Sequence, residues 1–143
     1  MTSHSVAVTL AAAVFFGAAG YGIQSAFDTP PTLMAPVDHD RAWRSIETRM
    51  RMALGACRHE REDARAICRA RARAEDRIAK AELEARYYGT VEAQAQARDV
   101  RARARFEVAR AECLARGADR AQCLTEARNE RAKALAAALV AAT

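Results

Sequence analysis

The sequence predicts an all-α protein. We expect an N-terminal apolar helix, then about four helices arranged as two helix–cysteine loop–helix units that form an antiparallel hairpin or a small bundle. Three observations carry this reading. Alanine, the strongest helix former, dominates the chain. Breakers are confined: prolines occur only at 30, 31 and 36, and past Gly55 the glycines are Gly89 and Gly117. Four cysteines fall as two pairs of similar spacing, Cys57/Cys68 and Cys113/Cys123.

The first element is uncharged from Val6 to Phe27. Its length suits either a bilayer-spanning helix or a secretory signal, and small residues such as Gly17-Ala18-Ala19 offer a cleavage site. No lysine or arginine precedes it. Residues 1–27 are therefore expected to be a signal peptide or a single-span anchor. Residues 28–39 hold all three prolines and read as a short extended linker. Residues 40–143 are the expected helical domain.

Within that domain Asp40 is the expected N-cap of a helix. Trp43, Ile46, Met50, Ala53 and Cys57 form its apolar stripe. Trp43 reads as a packing residue in preference to an interfacial anchor. A second helix is expected from Asp63 to Tyr88, ended by Gly89, and a third from Thr90 to Arg116. Gly117 should sit left-handed after it. Asp119 should cap the last helix with Gln122 as its capping-box partner. The two units echo each other: Asp63-Ala-Arg-Ala-Ile-Cys68 resembles Ala118-Asp-Arg-Ala-Gln-Cys123.

Ten or eleven residues of unbroken helix would hold cysteines ~15–16 Å apart, too far for a bond. Local pairing, Cys57–Cys68 and Cys113–Cys123, therefore needs a break inside each pair, and Gly117 and Asp119 supply one in the second. The alternative is a ladder across a hairpin folded at Gly89, Cys57–Cys123 and Cys68–Cys113. Paired cysteines in so small a chain point to an oxidising space, so we expect a periplasmic body, soluble or anchored to the inner membrane.

Net charge is +5, from 21 arginines and two lysines against 18 acids. The signs alternate along the helices, as in solvated i,i+4 pairs: Asp76–Lys80, Glu82–Arg86, Asp99–Arg103 and Glu112–Arg116. Two RARAR tracts place Arg69, Arg71, Arg73, Arg101, Arg103 and Arg105 as candidate anion contacts. If the chain folds back at Gly89, the tracts would form one basic belt. No nucleophile motif, phosphate loop or zinc-knuckle spacing occurs, so neither catalytic residues, nor a metal, nor a cofactor is expected. Without aromatic interleaving, nucleic acid is not an expected partner.

The run Ala79-Lys80-Ala81-Glu82-Leu83-Glu84-Ala85-Arg86-Tyr87-Tyr88-Gly89-Thr90 is followed by Phe106-Glu107-Val108-Ala109-Arg110-Ala111-Glu112-Cys113 and the Gly117/Asp119/Cys123 loop. From Cys57 to about Leu139 the chain resembles small exported, alanine-rich, cysteine-paired helical proteins of Gram-negative bacteria, some of them labelled cell-envelope or TolA-like. This chain uses arginine where they favour lysine, and its first cysteine loop lacks glycine. The resemblance implies an envelope protein and no specific activity. The expected function is thus a non-enzymatic envelope interaction or accessory role. Its partner would be another envelope or membrane protein, or a second copy, with the membrane added if residues 6–27 are retained. The alternative is a small periplasmic chaperone or a binder of polyanions or anionic lipid through arginine-rich faces.

Overall fold

A computed structural model describes residues 32–117 and 119–140. Residues 1–31, which carry the expected signal or anchor, lie outside the described residues. The described chain is helical, with α1 at Pro36–Ala56, a 3₁₀ turn at Cys57–His59, α2 at Glu62–Tyr88, α3 at Val91–Leu114 and α4 at Arg120–Val140.

Helix α1 starts earlier than expected. Pro36 occupies its first turn, where its fixed φ suits the helix and its missing N–H costs nothing. The amides of Asp38 and His39 bond the Ala35 carbonyl at 3.0 and 3.1 Å. Asp40 therefore lies inside the helix, and the extended segment stops at Ala35, short of the expected residue 39.

Helix α2 ends as read from sequence. Gly89 is left-handed (φ 67°), and its N–H bonds the Ala85 carbonyl at 3.0 Å. Thr90 then caps α3, its Oγ1 accepting the Ala93 N–H at 3.1 Å. Gly117 does not take the same role. Gly89 is the only residue with positive φ among those described. Helix α3 closes instead on tightened bonds, Ala115 to Glu112 and Arg116 to Cys113. Asp119 precedes α4, its carbonyl accepting the Cys123 N–H at 3.0 Å. Gln122 Nε2 donates to Glu126 Oε1 at 2.9 Å.

Each helix packs on its chain neighbours alone: α1 on α2, α2 on α3 and α3 on α4. The result is an open antiparallel row of four helices, not a closed bundle. Burial follows from this layout. The outer helices bury one residue each, Ile46 and Ala138. The two central helices must bury two opposite sides. Residues two apart on a helix point about 200° apart, so the alternation of arginine and alanine over 69–74 and 101–105 serves that need. Ala72 and Ala74 are 5% and 3% exposed, and Ala102 and Ala104 are 5% and 1% exposed. Ala72 lines a cleft with Ile46 and Met50 of α1, whereas Ala74 lines one with Val108 and Ala109 of α3. Alanine cores allow close helix approach, and Leu83 is the largest wholly buried side chain.

Charges follow the packing too. Asp76–Lys80 and Asp99–Arg103 form the expected i,i+4 pairs, at 3.1 and 2.8 Å. Glu82 and Glu112 instead reach across the α2–α3 seam, to Arg101 and to Arg71 (2.6 Å for the latter). A partner on the facing helix competes with the one four residues on.

Candidate functional site

Two features carry chemistry: the disulfide clasps and the arginine-lined seam between α2 and α3. Each clasp joins consecutive antiparallel helices. Cys57 bonds Cys68 and Cys113 bonds Cys123, with Cα atoms 5.6 and 5.5 Å apart. No cysteine is free. The structure thus joins the local pairs, and the hairpin ladder is not formed. Cys57 and Cys113 are buried, at 0% and 2% exposure.

The first pair needs no glycine to break its helix. The chain passes through the 3₁₀ turn, then runs extended at Glu60 and Arg61, at ordinary negative φ. Asp63, the sequence-based cap, is the second residue of α2. Arg65 donates through Nε and Nη2 to the Glu60 carbonyl at 3.3 and 3.0 Å. In the second unit Arg120 donates to the Leu114 carbonyl at 3.3 Å. Both arginines stand three residues before the second cysteine, in Arg-Ala-Ile-Cys68 and Arg-Ala-Gln-Cys123. The echo seen in the sequence therefore carries a shared local task, holding a carbonyl the breaking helix leaves open.

The six candidate arginines do not form one belt. Arg71 pairs with Glu112 and Arg101 with Glu82, which fixes the α2–α3 register. In that register residues 69–73 face the C-terminal end of α3, and residues 101–105 face α2 some nine residues nearer the Gly89 turn, roughly 13 Å away along the axis. The tracts also divide between two faces. Arg71 and Arg105 line a cleft of about 270 Å³ whose wall also holds Glu75 and Glu112. Charge there is balanced. Arg101 is committed to Glu82. Arg69 is exposed, outside both clefts.

The opposite face is unbalanced. Arg73, Arg77, Arg103 and Arg110 wall an open groove of about 510 Å³ that contains one acid, Glu107. Its floor includes Val100, Ala104 and Leu114. Arg103 is held by Asp99 and Arg110 by Glu107, at 2.8 and 3.2 Å. Arg73 and Arg77 have no carboxylate partner among the described residues. The sequence reading overlooked Arg77 and Arg110. Both lie outside the RARAR tracts and join the groove only through the packing of α2 on α3.

A second polar cluster ties α1 to α2. His39 Nε2 lies 2.8 Å from Glu84 Oε1, and its ring is 4.4 Å from that of Tyr87. Lys80 sits 5.0 Å from the Trp43 ring and 3.1 Å from Asp76. Trp43 Nε1 donates to Glu47 at 3.1 Å. Trp43 is therefore part of the interhelical packing. His39, read from sequence as linker, belongs to this cluster because α1 begins at Pro36.

Among the described residues no group of three His, Cys, Asp or Glu side chains could hold a metal ion. No helix among them is long and apolar enough to cross a membrane. No protein-family model, curated protein or solved structure matches this chain.

Proposed function

We propose that this chain is a non-enzymatic accessory or interaction protein of the bacterial envelope, with its helical body in an oxidising space such as the periplasm. The observation that carries the reading is the commitment of all four cysteines to two local clasps. Such bonds persist in oxidising compartments. The open helical row supports an interaction role, because its broad faces remain available to a partner. The resemblance to exported alanine-rich helical proteins points the same way. Mapping non-reduced peptides by mass from fractionated cells tests the proposal. We expect both local disulfides in protein outside the cytoplasm. Four free thiols in a cytosolic fraction would overturn it.

The arginine groove favours a second reading, binding of a phosphate-rich polyanion. Arg73 and Arg77 offer uncommitted guanidinium groups above an apolar floor. Retention on immobilised polyphosphate should fall as salt rises and fall further for Arg73→Glu/Arg77→Glu. Retention unaffected by either removes this reading.

A further inference from the structure

The exposed large apolar side chains are unevenly placed. Leu33, Val37, Tyr88, Val91 and Leu139 are 75%, 59%, 38%, 52% and 73% exposed. All five lie at one end of the helical row. Leu33 and Val37 flank the start of α1, Tyr88 ends α2, Val91 starts α3, and Leu139 is in the last turn of α4. Contacts join some of them in two groups. Leu33 N–H bonds the Tyr87 carbonyl at 2.7 Å, and the Tyr87 and Tyr88 rings are 5.0 Å apart. Val91 and Leu139 line one open groove of about 560 Å³, together with Leu135 and Ala138. Val140, beside Leu139 at the same end, is 75% exposed, and Met52 and Leu114, toward the clasped end, are the remaining exposed large apolar side chains among the described residues.

The chain enters the described structure at this same end, at Thr32. The uncharged stretch Val6–Phe27 stops five residues earlier. Five residues reach at most roughly 17 Å when fully extended. In an anchored chain the C-terminal end of that stretch is therefore tethered within that distance of Thr32.

We propose that the Gly89 end of the helical row rests on the lipid surface, with Leu33, Val37, Val91 and Leu139 in the headgroup–acyl boundary. The proposal rests on the anchored form of the envelope reading. Three observations select lipid as the occupant: the short tether, the apolar end facing it, and charges of both signs nearby (Asp38, Asp40, Arg41, Arg86 and Glu92). Asp38 is already paired with Arg41 at 2.7 Å. The contact is thus apolar and needs no anionic lipid. An upright row also keeps the arginine groove clear of the headgroups. Arg77 and Arg73 lie twelve and sixteen residues before Gly89, roughly 18 to 24 Å along α2.

Trp43 is the only tryptophan, so Trp43→Phe gives a background for single-tryptophan probes. The full chain carrying L139W, V91W or, at the other end, M52W is reconstituted into phosphatidylcholine vesicles. Flotation reports the anchor. Quenching by lipids brominated near the headgroup reports contact. We expect the chain to float, the L139W and V91W emission to be quenched, and the M52W emission to be unchanged. A floating chain with all three probes unquenched would overturn the lipid contact and leave the anchor standing. Equal quenching of all three would mean a body lying flat, which also overturns the upright arrangement. Failure to float would remove the anchor and this proposal together.

Discussion

Ala72 and Ala74 stand two residues apart on α2 and are both buried, one facing α1 and the other α3. Each sits in a seam between two helices. Ala72→Leu and Ala74→Leu should each destabilise the fold by about 1–3 kcal/mol through overpacking. Arg73→Gln, between them and exposed, should stay within about 0.5 kcal/mol. Urea unfolding of the three variants checks this. Equal effects would mean that the alternation does not mark two buried sides.

Gly89 carries two separable constraints. Its left-handed backbone disfavours any side chain, and a Cβ there would collide with Leu33. Gly89→Ala should cost about 1–2 kcal/mol from the backbone alone, with more from the collision. Adding Leu33→Ala should recover the collision part and leave the backbone part. A thermal melt in which Gly89→Ala is neutral would contradict the turn geometry.

Lys80 compensates a carboxylate that is largely out of water. The Asp76 side chain is 9% exposed and 3.1 Å from Lys80 Nζ. Removing the cation alone leaves that charge unpaired, so Lys80→Ala should cost about 1–3 kcal/mol. The double variant Asp76→Ala/Lys80→Ala should cost less than the sum of the two single changes. Additive effects in a double-mutant cycle would show the pair to be uncoupled.

The clasps close loops of similar length. Replacing Cys57 and Cys68 together by serine should lower stability by about 2–3 kcal/mol, and replacing Cys113 and Cys123 should do much the same. Arg65→Ala and Arg120→Ala should each cost less, up to about 1 kcal/mol, because the carbonyls they hold are near water. Unfolding with and without reductant separates these contributions.

The arginines should divide by task. Arg101 spans the seam to Glu82, so Arg101→Gln should reduce stability and leave polyanion retention unchanged. Arg73→Glu/Arg77→Glu should reduce retention with little effect on stability. The reverse pattern would assign the groove a purely structural role.

Local signals were legible along the chain. Gly89 and Thr90 announce a helix stop and restart, because left-handed backbone and N-capping are properties of single residues. The tight spacing of Cys113 and Cys123 around Gly117 and Asp119 announces a break. The first break was harder to see, since Glu60 and Arg61 turn the chain at ordinary φ and the Arg65 guanidinium supports it. Pro36 reads as linker by composition, yet a helix's first turn accepts proline, so α1 begins there and takes in His39.

The sequence by itself determined the helical class and the breaks at the Gly89 turn and the second cysteine loop, which depend on residues near one another in the chain, while the choice between local cysteine pairs and a hairpin ladder waited on the fold. Only the tertiary structure decided that the helices form an open row, that the alternating alanines serve two seams, and that Glu82 and Glu112 leave their i,i+4 partners for arginines on the facing helix. It also decided that Arg73 and Arg77 share a groove with Arg103 and Arg110. These outcomes depend on the register between helices, which is set by how alanine-lined faces meet. A chain in which one turn of Ala and Arg resembles the next carries little information about that register.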